Sequence, residues 1–562
     1  MKFTRDWLFD HLETDRPLDA ILDALPMLGL EVESVVDRGK ILAPFVIAEV
    51  VSAVPHPNAD KLRLCMVNIG AGDPVQVVCG APNARTGMKG VFAPVGAYVP
   101  GIDLTLKAGE IRGEASNGML CSEREMQLSD DHEGIIELDA NAPVGAGFAA
   151  YAGLDDPVIE IAITPNRADC LGVRGVARDL AAAGFGRLKP LDTSPLDGSF
   201  DSPITWQIDL DASDAHLCPL VSGRAFTGLK NGPAPDWMAN RLTAVGQRPI
   251  NALVDITNYV MIDIGRPLHA YDIDKIKGGK LIISKAQAGQ TMTALNEKTY
   301  VLADDMLVIG DADGPDDLAG IMGGERTGIS DDSSQMFLEI AIFDQVSVAT
   351  TGRQLNIHSD ARYRFERGLD VTSPDWAAGY VGRLVKSICG GAASHVTMAG
   401  PGADWQRQIF LATDKVEKLT GMRVPAARQV EILHDLGFTT SDSEGGWQVS
   451  PPAWRGDIDG AADLVEEVAR IHGFDALPMM HLDRDQVVSH PAVNVAQARP
   501  LRLRRALAGR GLTEAVTFSF LAEAEAVLFG GGDACLKLVN PISADLSVMR
   551  PSALPNLLAA VA

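Results

Sequence analysis

The chain has 562 residues, of which 46% are hydrophobic, and it carries a formal net charge of −25 at pH 7. This length predicts about four domains, and the acidic balance excludes a general electrostatic attraction to nucleic acid or to an anionic membrane. Any contact with RNA must therefore be local in the chain or shared with a partner.

Cysteine spacing and the amino terminus indicate the compartment. The 7 cysteines are scattered, without a Cys-x-x-Cys pair or a histidine pair at zinc spacing, which fits a reducing environment. The charged amino terminus is unlike a signal peptide, and the best apolar run, residues 45–54, is short and is broken by Glu49. We therefore expect a cytoplasmic protein without a membrane segment.

Two separated segments, residues 1–39 and 151–190, read as parts of one small αβ unit. The first combines a helical pattern with an extended run at 31–36, and it is too thin to bury a core alone. The second has a strand that ends in a turn and then a helix, so we expect it to complete the first. In that turn we interpret Arg167 and Asp169 as a bracing ion pair, with RNA contact as the alternative.

Between them, residues 40–148 show short alternating strands separated by Gly and Pro turns, which predict a small barrel. His56 and Asp60 could be ligands, but the neighbouring Pro and Asn favour a turn that the aspartate caps. The stretches at 55–62, 79–83 and 116–122 resemble the OB-fold tRNA-binding module of several aminoacyl-tRNA synthetases. From 40 to 147 there are 8 Lys and Arg against 13 Asp and Glu, so we do not expect tight RNA binding by this module alone.

After a linker rich in Pro, Asp, Ser and Gly at 190–201, a third domain is predicted from 212 to 400. It holds polar stretches that a simple core would not need, at 248–259, 265–272, 319–325, 337–341 and 358–367. In this order they resemble the editing domain of the beta subunit of bacterial phenylalanyl-tRNA synthetase.

A physical reason supports such a site. A pocket shaped for phenylalanine rejects an analogue with one added hydroxyl by only a factor on the order of 10², so a second, hydrolytic site is useful. A carboxylate among apolar neighbours can recognise the hydroxyl, because phenylalanine would leave that acid desolvated and unpaired. Glu339 between Leu338 and Ile340 fits, and the family's tyrosine-reading glutamate falls at this position.

The resemblance also assigns roles to six other residues. His269 would position or activate the attacking water, and Arg248, Asn251 and Ser359 would orient the terminal adenosine or the amino acid. Gly323 and Ala361 would be small because the ligand passes close to them. No Cys-His or Ser-His-Asp group is evident, so direct attack by water is expected. From the residues alone an alternative stays open, in which His269 is a core histidine and Glu339 pairs with Arg362 or Arg364.

Residues 402–477 combine helical patterns with a strand and turn, and they resemble the family's helical, DNA-binding-like module, although an acidic chain argues against DNA. A helix is predicted from Gly460 to Gly473, with Leu464, Val465, Val468 and Ile471 on one face and Asp463, Glu466, Glu467 and Arg470 on the other.

Asp457 could join these acids, giving four carboxylates without enough neighbouring Lys or Arg to neutralise them. Such a cluster is either a solvated helix face or a site for a hard cation such as Mg²⁺. By resemblance, Asp457, Asp463, Glu466 and Glu467 are Mg²⁺ ligands at the contact with the alpha subunit.

Residues 478–562 resemble the first part of the family's catalytic-like domain, which has the class II synthetase fold without the chemistry. The chain stops at Ala562 within an apolar helix, so we expect a chain truncated at its carboxyl terminus. No phosphate-binding or dinucleotide-binding glycine loop occurs, so the resemblance places ATP chemistry in the alpha subunit.

The whole chain is thus expected to be an α+β multidomain protein. Its parts are an OB-fold barrel inserted in a small αβ unit, an α/β editing domain, a helical DNA-binding-like module and a partial class II synthetase-like domain. The family works as two alpha and two beta chains, binds the tRNA for phenylalanine and hydrolyses mischarged Tyr-tRNA. The alternatives are a free-standing aminoacyl-tRNA deacylase and a non-catalytic RNA-binding scaffold.

Overall fold

The computed structural model describes residues 1–479 and 491–562, which form two compact units, Met1–Pro478 and Met479–Ala562. Helices and strands alternate through both, so the mixed α and β, multidomain character is confirmed. Among the residues described, none of the helices combines the length and apolarity needed to cross a bilayer.

The amino-terminal part is assembled from two distant segments. An antiparallel sheet contains Lys2–Thr4, Val158–Ile161 and Val32–Val36, in that order, and Arg187–Leu188 pairs with Leu12–Glu13. The helices are Arg5–His11, Leu18–Met27 and Val173–Ala182. Phe3 and Leu25 of the first segment and Ile159 and Leu180 of the second are fully buried in one hydrophobic core, so each segment supplies core residues that the other lacks.

The segment between them forms a five-stranded antiparallel sheet. Its strands, in spatial order, are Gly118–Leu120, Lys89–Pro94, Val46–His56, Ala59–Asn68 and Val75–Cys79. The sheet curls until Asn117 N donates to Gln76 O at 2.9 Å across the two edges. The turn predicted near His56 is present, but the backbone N–H of Asn58 donates to His56 Nδ1 at 3.0 Å. The cap is therefore the buried histidine, and the predicted cap, Asp60, is exposed.

Two sheets face each other in the third part of the chain. The first contains Thr205–Asp209, Lys280–Lys285, Leu307–Asp311 and Gly314–Leu318, and the second contains His269–Asp272, Gln335–Ile342, Leu220–Thr227 and Ala392–Ala393. Strand Thr397–Ala399 also pairs with Leu220–Thr227. The helices are Asp236–Ala244, Ala252–Ile264, Gln345–Gln354, Asp360–Phe365 and Ser373–Cys389. The first strand precedes residue 212, the start predicted from sequence, because its pairing partner lies about 75 residues later.

The module at 409–472 has a three-stranded sheet and three helices. The strands, in spatial order, are Ile409–Ala412, Gly446–Ser450 and Thr439–Ser443, and the helices are Lys415–Thr420, Ala426–Asp435 and Ala461–His472. The last helix buries its predicted apolar face. However, Glu467 and Arg470, which were predicted on the opposite face, are also buried, at 2% and 4% exposure. The helix packs against more than one neighbour, so part of its polar face is buried as well, while Glu466 on that face stays exposed.

The second unit is small. It contains helices Val495–Ala508, Glu523–Leu528 and Leu554–Val561, and strand Phe520–Leu521 pairs with Val548–Met549. The buried apolar residues Leu521, Ala526 and Val548 form its core. Residues 480–490 of the predicted catalytic-like domain lie outside the described residues.

Candidate active site

A narrow cavity of about 60 Å³ lies between the two sheets of the third part, beside the first turn of helix Asp360–Phe365. Of the seven residues predicted for an editing site, four line it: His269, Gly323, Glu339 and Ala361. Arg248, Asn251 and Ser359 are not among its walls. The structure thus brings together the residues expected at the ester and the phenol.

His269 lies directly opposite Glu339 in the pairing of His269–Asp272 with Gln335–Ile342. Side chains opposite each other in an antiparallel pair lie on the same face of the sheet. Burial lowers the pKa of His269, although Glu339 and Asp316 oppose the shift, so the ring is neutral near pH 7. Its Nε2 is buried without a hydrogen-bond partner in the described part of the chain. The ring therefore offers a free nitrogen to the cavity.

Glu339 is a buried acid held by a hydroxyl. The Tyr271 hydroxyl donates to Glu339 Oε2 at 2.9 Å. Burial raises the pKa of Glu339 to about 7, and Asp317 adds to the rise while His269 opposes it. The two arginines considered as its partners bond elsewhere, Arg362 to Glu366 and Arg364 to Asp360. The alternative of an arginine-paired Glu339 is therefore wrong.

Gly323 packs against the face of the histidine. A Cβ at this position would lie 2.1 Å from His269 Cε1, closer than any real contact allows. A larger residue would displace the ring, so the glycine is required here by the close approach. The sequence-based expectation of a small residue fits, although the close neighbour is the His269 ring of the chain itself.

Ser359 has a capping role next to the cavity. Its Oγ accepts from the N–H of Arg362 at 3.1 Å and donates to the carbonyl of Ile321 at 2.6 Å. The hydroxyl thereby begins helix Asp360–Phe365 and joins it to a cavity-lining loop. Ser359 thus positions Ala361 from outside the cavity.

Asn251 and Arg248 also lie outside the cavity walls. Asn251 is buried and caps helix Ala252–Ile264, accepting from Val254 N at 3.2 Å and donating to Asp331 at 3.2 Å. Arg248 is exposed, and its neighbour Gln247 donates to Asp360 Oδ2 at 2.8 Å. Asn251 is therefore held by its helix and by Asp331, whereas the side chain of Arg248 is exposed to solvent.

Two groups of this site were missed from the sequence: Asp317, which lines the cavity, and Tyr271, which donates to Glu339 without being one of the walls. Asp317 is 3% exposed and accepts from Gly324 N at 2.6 Å. Burial raises its pKa to about 8, with Asp316 adding to the rise. The signals were present, because strand alternation places Tyr271 on the same side as His269, and Asp317 precedes a buried Leu318.

The charges around the carboxylate helix, Ala461–His472 with its acidic residues, differ from the prediction. Arg455 bonds Asp457 at 2.8 Å and also Glu467, and Arg470 bonds Glu467 at 2.6 Å. Arg470 further bonds Asp179 at 2.8 Å. The expectation of uncompensated acids is therefore wrong for Asp457 and Glu467, because arginines before and within the helix neutralise them.

The other two acids are placed differently. Asp463 Oδ2 accepts from the N–H groups of Asp459 and Gly460, both at 2.8 Å, which caps the helix. Glu466 is exposed. A cation could thus use Glu466 and the remaining oxygen of Asp463, whereas Asp457 and Glu467 do not fit as ligands while Arg455 holds them.

The predicted ion pair of Arg167 and Asp169 is confirmed at 3.0 Å, and it extends into this network. Arg167 also bonds Asp179 at 2.7 Å. In the described residues, Asp169, Cys170 and Asp179 place three ligand atoms within 4.8 Å of one another. Bonded arginines make that cluster a poor cation site.

Family models match most of the chain. They are the putative tRNA binding domain over 45–147, the B3/4 domain over 217–390, the tRNA synthetase B5 domain over 409–474 and the phenylalanyl tRNA synthetase beta chain CLM domain over 486–562. The cavity thus lies inside the B3/4 match, and the carboxylate helix lies inside the B5 match.

Curated proteins are similar over the full chain. It is 50% identical to the phenylalanine–tRNA ligase beta subunit of Nitrobacter winogradskyi, with 100% of this chain and 69% of that protein covered. It is 51% identical to the beta subunit of Cereibacter sphaeroides, with 100% and 70% covered. A solved amino-terminal fragment of a phenylalanyl-tRNA synthetase beta subunit from Pyrococcus horikoshii overlaps 57% of this chain at 16% identity and a TM-score of 0.32, too low to bear on the fold.

Proposed function

The chain belongs to the family of phenylalanine–tRNA ligase beta subunits, and on that premise we propose that its third part removes tyrosine from mischarged tRNA. The observation that carries this proposal is Glu339, a buried acid that bonds none of the arginines in the described part of the chain and lies opposite a neutral histidine in a narrow cavity. A site of this kind distinguishes two amino acids that differ by one hydroxyl.

Glu339 would read the phenol. Tyr271 occupies Oε2, and a substrate phenol would donate to the remaining oxygen of the carboxylate. Phenylalanine leaves that oxygen desolvated, and an unmade bond to a buried acceptor costs about 1 to 3 kcal/mol. One added hydroxyl would thereby decide which amino acid is released.

His269 would act on the water. Its neutral ring has an Nε2 without a partner in the described residues, so it can accept a hydrogen bond from a water at the ester. Gly323 leaves the ring in place, and Ser359 holds the opposite wall. Hydrolysis by direct attack needs no acyl-enzyme, so no nucleophilic side chain is required.

The remaining domains would bind tRNA and a second protein chain. We assign tRNA binding to an OB-fold module at 40–148, and we assign ATP-dependent attachment of phenylalanine to an alpha subunit in a complex of two alpha and two beta chains. Because residues 40–148 carry more acidic than basic side chains, this module would bind RNA together with the partner and not by itself. The assembly would work in the cytoplasm on the tRNA for phenylalanine, without DNA.

Mg²⁺ would support the contact with the alpha subunit. Glu466 and Asp463 can offer oxygens without breaking an ion pair, and Asp457 and Glu467 could join only after releasing Arg455. When bound, the ion would hold carboxylates and water at a subunit contact, which is its usual coordination.

The test is release of amino acid from tRNA for phenylalanine charged with tyrosine or with phenylalanine, using the complex with its alpha partner. The parent should release tyrosine much faster than phenylalanine. Glu339→Ala should abolish most of this selectivity, because the phenol loses its acceptor. Exposed Glu325→Ala, on a loop of the same part, is the control and should leave both rates unchanged. Equal release of tyrosine by the Glu339→Ala variant and by the parent would contradict the assignment.

A further inference from the structure

Asp317 is a buried acid whose surroundings differ from those of its neighbour. Asp316 accepts from the Thr327 hydroxyl and lies 3.5 Å from Arg326 Nε, so it is paired. Asp317 accepts one bond, from Gly324 N at 2.6 Å, and its Oδ2 has no partner among the described residues. A buried acid without a counter-charge is costly, so its presence at a cavity wall calls for a physical reason.

The facing group is His269, whose Nε2 is equally without a partner in the described part of the chain. Asp317 Oδ1 and His269 Nε2 are 3.8 Å apart, too far for a direct hydrogen bond and compatible with one water that bonds to both. The cavity of about 60 Å³ touches both residues, whereas one water needs only about 10 to 15 Å³. Geometry and space thus provide a water site between these two groups.

We propose that Asp317 is a catalytic residue of this cavity, which holds the attacking water together with His269 and takes its proton. This inference rests on the proposed hydrolysis of aminoacyl-tRNA and names its base. Strand Gly314–Leu318 fixes Asp317 from one sheet, while His269 and Glu339 extend from the other. The two acids would therefore have separate roles, because Glu339 would bind the phenol and Asp317 would accept a proton from the water.

The step balances without a cofactor. The water oxygen bonds to the ester carbonyl carbon as one water proton passes to Asp317. The bond between that carbon and the ribose oxygen then breaks, and the proton on Asp317 passes to the leaving ribose oxygen. The new carboxyl group of tyrosine releases its remaining proton to solvent. Asp317 ends in the state in which it began.

Ionisation of Asp317 should appear in the pH profile. Burial raises its pKa to about 8, with Asp316 adding to the rise, while the nearby Tyr271 hydroxyl and the hydrogen bond from Gly324 N oppose it. The titratable or charged groups around it are Asp316 on its own strand, His269, Tyr271 and Glu339 on the facing sheet, and Arg326. A base must be ionised to accept a proton, so the hydrolytic rate should rise between about pH 6 and pH 8.

The experiment follows tyrosine release from Tyr-tRNA in single turnovers across pH, using the complex with the alpha partner. Asp317→Asn should lower the rate by about 100-fold or more and remove the rise with pH, because the amide keeps the bond to Gly324 but cannot take a proton. Glu339→Gln should lose selectivity for tyrosine and keep the rise. Asp317→Ala should regain rate when formate is added, since formate supplies a carboxylate to the vacated space.

The outcomes separate the two proposals. Rapid release by Asp317→Asn with the parent pH profile overturns the role of Asp317 and leaves the hydrolytic site in place. A parent complex that charges phenylalanine yet never releases tyrosine overturns the proposed function itself. If Asp317→Asn fails to fold, formate rescue of Asp317→Ala decides, because a structural role gives no recovery with a small carboxylate.

Discussion

At the scale of single residues, Asp317 should reduce the stability of the folded chain above acidic pH. Its folded pKa of about 8 lies well above the unfolded value of about 3.9, because burial disfavours the ionised form. Between these values the native state keeps a proton that the unfolded state has lost, so the free energy of unfolding falls as pH rises. Asp317→Asn should therefore be more stable than the parent, by an amount that grows from pH 5 to pH 8 in urea denaturation.

Asp313→Asn is the matched control for this measurement. Asp313 is exposed immediately before strand Gly314–Leu318, so its substitution should leave the free energy of unfolding nearly constant across the same pH range. A stability difference between parent and Asp317→Asn that does not change with pH would contradict a protonated, buried Asp317.

Sequence reasoning found the residues that carry a distinctive local pattern. Glu339 and His269 stood out because each is a polar residue between apolar neighbours, and both line the cavity. Asn251 and Ser359 looked equally prominent, yet they cap helices, a role that depends on where the helix starts. Asp317 was missed although it precedes an apolar residue of a strand, because its lack of a partner for Oδ2 among the described residues depends on neighbours that are distant in sequence.

At the scale of elements, helix Ala461–His472 joins two distant segments through buried charges. Glu467 bonds Arg455 and Arg470, and Arg470 continues to Asp179 on helix Val173–Ala182. Although burial opposes ionisation of Glu467, hydrogen bonds and charge from Arg470 and Arg455 hold its pKa at about 2. The helix is thus anchored by ion pairs as well as by its apolar face.

Glu467→Gln should destabilise this anchor. Removing the charge leaves two buried arginines undercompensated, and breaking a buried pair costs about 3 to 5 kcal/mol. The loss should be seen at pH 7 by urea denaturation in a buffer with a chelator. Because the folded pKa is depressed, the contribution of Glu467 is present above about pH 4.3 and fades as pH falls toward 2.

Exposed Glu466→Gln, one residue away, is the control and should change the free energy of unfolding by less than about 0.5 kcal/mol. Equal effects of the two substitutions would show that burial of Glu467 contributes nothing.

The bounds of this helix followed from its periodicity and its glycines, but the burial of Glu467 and Arg470 did not, because periodicity records one apolar face and no second contact.

At the scale of the whole molecule, the order of the domains along the chain could be predicted, but the strand pairings between distant segments could not. Strand Val158–Ile161 lies between two strands from the first 36 residues, and Thr205–Asp209 pairs in parallel with Lys280–Lys285. Both joins depend on pairing between distant segments, which local patterns do not specify. The same limit applies to the cavity, whose walls come from both sheets and a helix.

The net charge of −25 bears on how the chain meets its tRNA. An acidic surface repels the phosphate backbone, so affinity must come from local contacts or from a second chain. The proposed editing site suits this arrangement, because a partner chain would hold the tRNA while its terminal nucleotide reaches the cavity. Release of tyrosine is therefore best measured on the assembled complex.

The most direct measurement is accumulation of Tyr-tRNA when the complex, ATP, tyrosine and tRNA for phenylalanine are incubated together. We predict that the parent accumulates almost none and that His269→Ala accumulates it steadily, while both attach phenylalanine at the same rate. The added tyrosine persists in the variant because the histidine no longer holds the attacking water. Steady accumulation of Tyr-tRNA by the parent, at the rate of the His269→Ala variant, would contradict a hydrolytic role for this cavity.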